Sequence, residues 1–299
     1  MSGDFWSQVF NFADYGELLG LLHNSIIAGA VLGIVGGLIG VFVMSRDMAF
    51  AVHGISELSF AGAAAGLLFG VGVVEGSIIG SIIAALLIGL LGARARDRNS
   101  IIAVLMPFGL GLGILCLSLY PGRSANKFGL LTGQIVAVDD PKLNSLIAIS
   151  IVVVLGLILV WRPLTFASVD ADVASARGVP VRGLSIFFML LLGLAVAVSV
   201  QIVGSLLVLS ILVTPAAAAL RLSSSPIVVP LLSTLFAVTS LVGGIMLALG
   251  ASVPISPYVT TISFAIYVVC RLIAWRRGAG TGRMTDAGHA TPARKAVRS

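Results

Sequence analysis

Apolar stretches long enough to cross a bilayer follow one another along almost the entire chain, and this constrains the fold before anything else does. Backbone N–H and C=O groups in hydrocarbon must be paired within the spanning structure, which leaves helices for segments of this kind. A helix needs about 20 mainly apolar residues to cross. Nine candidates occur, at roughly 20–45, 50–70, 73–93, 100–119, 143–162, 183–201, 203–221, 226–250 and 253–275. The seventh is short and contains Thr214-Pro215, so a broken or re-entrant segment is expected there. The expectation is an all-α, polytopic integral membrane protein with eight or nine transmembrane segments. At 58% hydrophobic and 10% charged residues, the 299-residue chain does not fit a soluble domain. No loop is long enough for a second one, so residues 1–275 form a single membrane domain.

Charge sets the orientation. If the nine segments alternate, Arg46, the cluster Arg94/Arg96/Arg98, the group Arg162/Arg177/Arg182, Arg221 and Arg276/Arg277 fall on one side. Arg123, Lys127 and Lys142 fall on the other, offset by Asp139 and Asp140. The arginine-rich side is therefore expected to be cytoplasmic. Residues 276–299 carry six basic residues against Asp286, a net +5 of the chain's formal +6. Rich in Gly, Ala, Thr and Ser, this tail is expected to be disordered and drawn to anionic lipid headgroups. Membrane lipid explains its charge, and no nucleic-acid partner is implied. The N-terminal stretch has no basic n-region of a signal peptide. Its Phe5, Trp6, Phe10 and Phe12, among Asp4, Asp14 and Glu17, suggest an interfacial segment. Cys116 and Cys270 lie far apart in apolar segments, so no disulfide follows.

Glycines at four-residue spacing recur: Gly33/Gly37, Gly36/Gly40, Gly62/Gly66/Gly70, Gly76/Gly80 and Gly109/Gly113. Such rows let helix backbones approach closely in lipid. On the second segment the Gly62/Gly66/Gly70 row lies about 140–180° from His53 and Glu57, at about 100° per residue. One face can pack tightly while the opposite face presents a polar pair. Glu57 is the one acid well inside a predicted span, with Asp47 and Glu75 at segment edges. A carboxylate there costs at least about 2.5–3.5 kcal/mol, so it needs a partner, a cavity or a purpose. His53 stands one helical turn away, and imidazole beside carboxylate suits a borderline divalent ion such as zinc or manganese. The same pair is also compatible with a proton site or an interhelical hydrogen bond. His23 with Asn24 opens the first span and fits an interfacial or packing role.

No enzyme signature is present. The only lysines are Lys127, Lys142 and Lys295, none in a GxxxxGK[ST] loop, and neither HExxH nor GxSxG occurs. Energy for active transport would have to come from another subunit or an ion gradient. The cytoplasmic loop LTFASVDADVASARGVPVRG has Asp170 and Asp172 before Val173-Ala174-Ser175-Ala176, then Gly178. Acids at the start and glycine at the stop describe a short helix in a loop. It would suit a soluble partner, although a plain solvated connector has the same composition.

Together these stretches resemble the integral-membrane permeases of the zinc/manganese/iron (metal-chelate-type, ABC-3) family of bacterial ABC importers, over about residues 25–275. The resemblance rests on HGISELSFAGAAAG, on RARDRNSIIAVLMPFGLGLGI, and on D-x-x-x-A-x-x-x-G as Asp170, Ala174 and Gly178. It also rests on VGxLLVxxLLxxPAAxA, with Gly204, Leu206, Leu207, Pro215 and Ala219 in place. Family members often carry aspartate, then histidine four residues later, on the second helix. Here His53 takes the aspartate position and Glu57 the histidine position, so the ligand types are exchanged.

The resemblance implies a bacterial cytoplasmic-membrane permease, working as a dimer with a second copy. Cytoplasmic ABC ATPase subunits would sit on the loop helix at Asp170, Ala174 and Gly178. An extracytoplasmic metal-binding protein would deliver the ion, with ASVPISPYV placed to receive it. No permanently bound cofactor is implied, only a transported divalent metal, zinc or manganese. Two copies would bring two His53 and two Glu57 to the pore. Rival readings are a siderophore or corrinoid permease, a proton-coupled secondary carrier using Glu57, and a purely structural membrane subunit.

Overall fold

The computed structural model describes residues 22–92, 95–122, 138–248 and 254–285. Among them are ten helices and no strand. In chain order they are α1 (His23–Ser45), α2 (Ala49–Phe69), α3 (Val73–Leu91), α4 (Ala95–Leu119), α5 (Asp140–Val169), α6 (Ala171–Ala176), α7 (Val181–Val203), α8 (Ser205–Leu222), α9 (Val228–Ala248) and α10 (Ile255–Thr285). Eight are long and apolar enough to cross a membrane, and a shorter apolar helix, Leu207–Leu222, forms most of α8. That matches eight spans plus one irregular segment. The N-terminal aromatic segment, Arg94, Arg123, Lys127, residues 251–253 of the outer turn and residues 286–299 of the tail lie outside the described residues.

The interruption is not where the proline suggested. α8 runs unbroken through Pro215, and the break falls instead at Gly204, the single residue between α7 and α8. Gly204 has φ +80°, a conformation that L side chains rarely adopt. Pro215 removes the hydrogen bond to the Ile211 carbonyl. The Gly36 backbone lies against Ile211 there, so the weakened turn is enclosed by protein. The last helix also continues past the boundary expected at 275, reaching Thr285.

Close glycine contacts hold the bundle together. A Cβ on Gly33 or Gly37 would come within 2.7 Å of Val238 or 2.4 Å of Thr234, so α1 and α9 touch backbone to backbone. Ser233 Oγ donates across this seam to the Gly37 carbonyl at 2.8 Å. Gly40 sits against the Leu212 carbonyl of α8. Gly62 and Gly66 of α2 face Gly76 and Gly72, at the start of α3. Gly70 does not join that row. It ends α2 with φ +72° and open space around it, as a left-handed C-cap.

Outward faces carry large apolar side chains, among them Ile151, Leu155 and Leu159 of α5. Such a surface needs lipid to cover it. Cys116 and Cys270 are buried free thiols. Asn24 of α1 donates to the Val138 carbonyl at 3.2 Å and to Asp140 Oδ1 at 2.8 Å, tying α1 to α5 at one end of the bundle. Arg46, Arg98, Arg182 and α6 gather at the opposite end.

Candidate metal path and coupling helix

His53 and Glu57 lie one turn apart on α2, with His53 Nδ1 3.8 Å from Glu57 Oε1. This is ion-pair range and too long for a hydrogen bond. The Glu57 side chain is 5% exposed and that of His53 29% exposed. His53 Nδ1 and Glu57 Oε2 are both buried, with no hydrogen-bond partner among the described residues. Buried polar atoms are normally satisfied, and unsatisfied ones mark unplaced water, ions or function.

The neighbours of α2 explain this geometry. Its glycine face is fused to α3. On another side α4 passes so close that a Cβ on Gly109 would lie 3.0 Å from the Glu57 carbonyl carbon. Higher up, Gly113 lies against the fully buried Phe60 ring. Ser59 Oγ meets Ser77 Oγ at 2.7 Å, and Ser77 Oγ donates to the Ala197 carbonyl of α7 at 3.1 Å. Helix geometry puts the polar pair about 140–180° round α2 from Gly62 and its contact with α3. Among the described residues no group of three or more His, Cys, Asp or Glu side chains is close enough to hold a metal. Among the described residues, one copy of the chain therefore brings together two side chains of metal-binding type, not a closed cage.

A second polar feature escaped sequence reasoning. Ser56 Oγ donates to the Ser205 carbonyl at 2.9 Å, so the α7–α8 break is pinned beside Glu57. Ser56 is about 60° round the helix from His53. Ser205 Oγ and Gln201 Nε2 are buried there without partners. In the sequence Gly204 stands out only as a motif position. Gln201 beside it, a polar side chain in an otherwise apolar run, was the available signal.

The loop proposed from its sequence to face a soluble partner folds as the short helix α6. Asp170 Oδ1 accepts from the Val173 backbone N–H at 2.9 Å, capping its first turn. Gly178 has φ +83° and takes the chain out of the helix. Ala174 is fully buried, whereas Ala171, Asp172, Val173 and Ser175 are exposed. Asp170 and Gly178 therefore shape the helix ends and Ala174 seats it. The outward face belongs to its exposed neighbours.

An all-α bundle with eight helices long and apolar enough to span, a polar joint at the α7–α8 break and an exposed loop helix define a polytopic membrane permease. Residues 19–274 match the ABC 3 transport family, and the chain belongs to it. It is 29% identical over 258 residues to the manganese transport system membrane protein MntC of Halalkalibacterium halodurans, covering 86% of this chain and 88% of that protein. The MntC protein of Listeria monocytogenes is 32% identical over 225 residues, covering 74% and 80%. Among solved structures, PsaBC from Streptococcus pneumoniae in complex with Fab superposes with a TM-score of 0.78 at 26% identity, over 87% of this chain and 95% of that one. The chain is a multi-pass protein of the bacterial cytoplasmic membrane.

Proposed function

We infer that this chain is the membrane permease of an ATP-driven divalent-metal importer, and that α2 carries the metal path. The observation that carries the reading is the unsatisfied His53–Glu57 pair, placed on the face of α2 opposite its glycine seam in a chain of this family. Manganese is the first candidate cargo because the relatives are named for manganese transport. The exchanged order of imidazole and carboxylate leaves the same nitrogen and oxygen donors for a manganese or zinc ion.

Two donors per chain suit transit, because a permeating ion must bind weakly enough to leave. Water and a second copy related by a two-fold axis would complete the coordination. Carbonyls at a helix break are the sort of group that lines ion paths in transporters, and Ser205 and Gln201 would serve an ion passing His53. ATP would be bound and hydrolysed on a separate cytoplasmic subunit docked on α6, and an extracytoplasmic binding protein would deliver the metal.

The test of this class is manganese uptake into proteoliposomes holding the permease, its ATPase and its binding protein. Uptake should require ATP and survive collapse of the proton gradient. Uptake that runs without ATP and stops with the gradient would replace the importer with a proton-coupled carrier.

A further inference from the structure

A cavity of about 660 Å³ opens beside α6 at the arginine-rich end of the bundle. Its size falls within the roughly 300–1,000 Å³ of ordinary ligand sites. Among the described residues, Arg46, Arg98 and Arg182 line it with one acid, Asp172. Arg46 Nη2 donates to Ser185 Oγ, and its guanidinium lies 5.8 Å over the Phe188 ring. Among the described residues its Nη1 is buried without a partner, as is Nε of Arg98. Arg98 Nη2 reaches only the carbonyls of Arg46 and Asp47, each at 3.4 Å. Burial, and then the neighbouring charge of Arg98, hold Arg46 below its usual pKa; the Asp47 carboxylate acts on Arg98, yet among the described residues neither guanidinium has a carboxylate within ion-pair distance.

The remaining lining points to the kind of anion these arginines would take. Ile88, Gly89 and Met189 give the cavity an apolar floor between α3 and α7. Next to that floor, Leu90 and Leu91 are exposed on the lipid-facing end of α3. A free anion has no use for such a floor, whereas a phospholipid brings a phosphate for the arginines and acyl chains for the apolar wall. Basic pockets between transmembrane helices on the cytoplasmic side are suited to anionic headgroups.

We propose that this crevice binds the phosphate headgroup of an anionic membrane lipid, with its acyl chains leaving along α3. Because Ala171, Asp172 and Ser175 of α6 form part of the wall, the bound lipid steadies the helix on which the ATPase docks. The site is separate from the metal path and stands whether or not His53 and Glu57 carry the ion.

The experiment uses the assembled permease–ATPase complex in nanodiscs of phosphatidylcholine, alone or with phosphatidylglycerol. Native mass spectrometry of the released complex counts retained lipid. Wild type should keep phosphatidylglycerol, and its ATPase rate should rise several-fold over the phosphatidylcholine-only discs. Arg46→Gln/Arg98→Gln should lose both effects, and the double lysine variant should recover them. Arg182→Gln, which disturbs no hydrogen bond or ion pair among the described residues, should weaken retention at an unchanged melting temperature. Equal retention in wild type and Arg182→Gln, or ATPase rates indifferent to phosphatidylglycerol, would overturn the proposal. So would restoration of the rate by inorganic phosphate alone, which would make the ligand a free anion. Loss of ATPase binding in the variants, with no lipid retained by wild type, would assign the cavity to an acidic side chain of the protein partner.

Discussion

Gly62→Ala is the sharpest test of how α2 is held. A Cβ at this position would lie 2.1 Å from the Gly76 carbonyl oxygen and 2.9 Å from the Gly80 Cα. Both are backbone atoms, so no side chain can swing aside. Ordinary contact at about 3.5 Å requires α3 to retreat by about 1 Å or more. That shift also loosens the seam at Gly66 and Gly72. Overpacking of a filled interior costs about 1–3 kcal/mol, while alanine regains at most about 0.8–1.0 kcal/mol over glycine in a helix. With backbone on both sides of the clash the cost falls toward the upper end of its range, for a net loss of up to about 2 kcal/mol. Gly111→Ala is the control, because a Cβ there meets nothing within 4 Å. Thermal unfolding in detergent should show Tm several degrees lower for Gly62→Ala, and unchanged or slightly raised for Gly111→Ala. Metal uptake should fall only in the first, since the same seam positions His53 and Glu57. Equal Tm values for the two variants would refute the claim that backbone contact fixes α2.

Other consequences follow from individual contacts. Asp170→Ala removes the cap of α6, worth about 1 kcal/mol, and should reduce transport-coupled ATPase activity, with Asp170→Asn largely restoring it. Gly178→Ala places a side chain at φ +83°, a strain of about 1–2 kcal/mol. It should uncouple ATP hydrolysis from uptake while the complex still assembles, as should a bulky replacement of the fully buried Ala174. Ser56→Ala deletes the bond to the Ser205 carbonyl, worth about 0.5–1.5 kcal/mol. It should slow uptake more than it lowers Tm if the α7–α8 joint belongs to the path.

Much of this was legible in the sequence because the membrane leaves few choices. Hydrocarbon dictates helices, so the apolar stretches gave their number and order. Four-residue glycine spacing gave the seams at Gly33/Gly37 and Gly62/Gly66 before any neighbour was known. Gly70 looked like part of its row because spacing cannot separate a packing glycine from a helix stop. Thr214-Pro215 points to an irregular segment over 203–221, and the break lies within it, at Gly204 rather than at the proline, for a similar reason. Proline announces a lost hydrogen bond, but neighbouring helices decide whether that loss bends the chain. Glu57 stood out as a carboxylate in an apolar run. Ser56, Gln201 and Ser205 did not, because an uncharged polar residue becomes notable only when the fold leaves it buried. The capping of α6 by Asp170 was readable locally, whereas the inward face of Ala174 depends on contacts that only the folded chain makes.

The most direct measurement is ATP-dependent uptake of manganese and zinc by the reconstituted permease, ATPase and binding protein, comparing wild type with His53→Ala/Glu57→Ala. Both complexes should assemble with the same Tm and bind the delivery protein alike. The account predicts that wild type takes up at least one of the two metals and that the double variant loses nearly all of it. Uptake at the wild-type rate in the double variant would contradict the account, because the ion would then cross without the buried pair on α2.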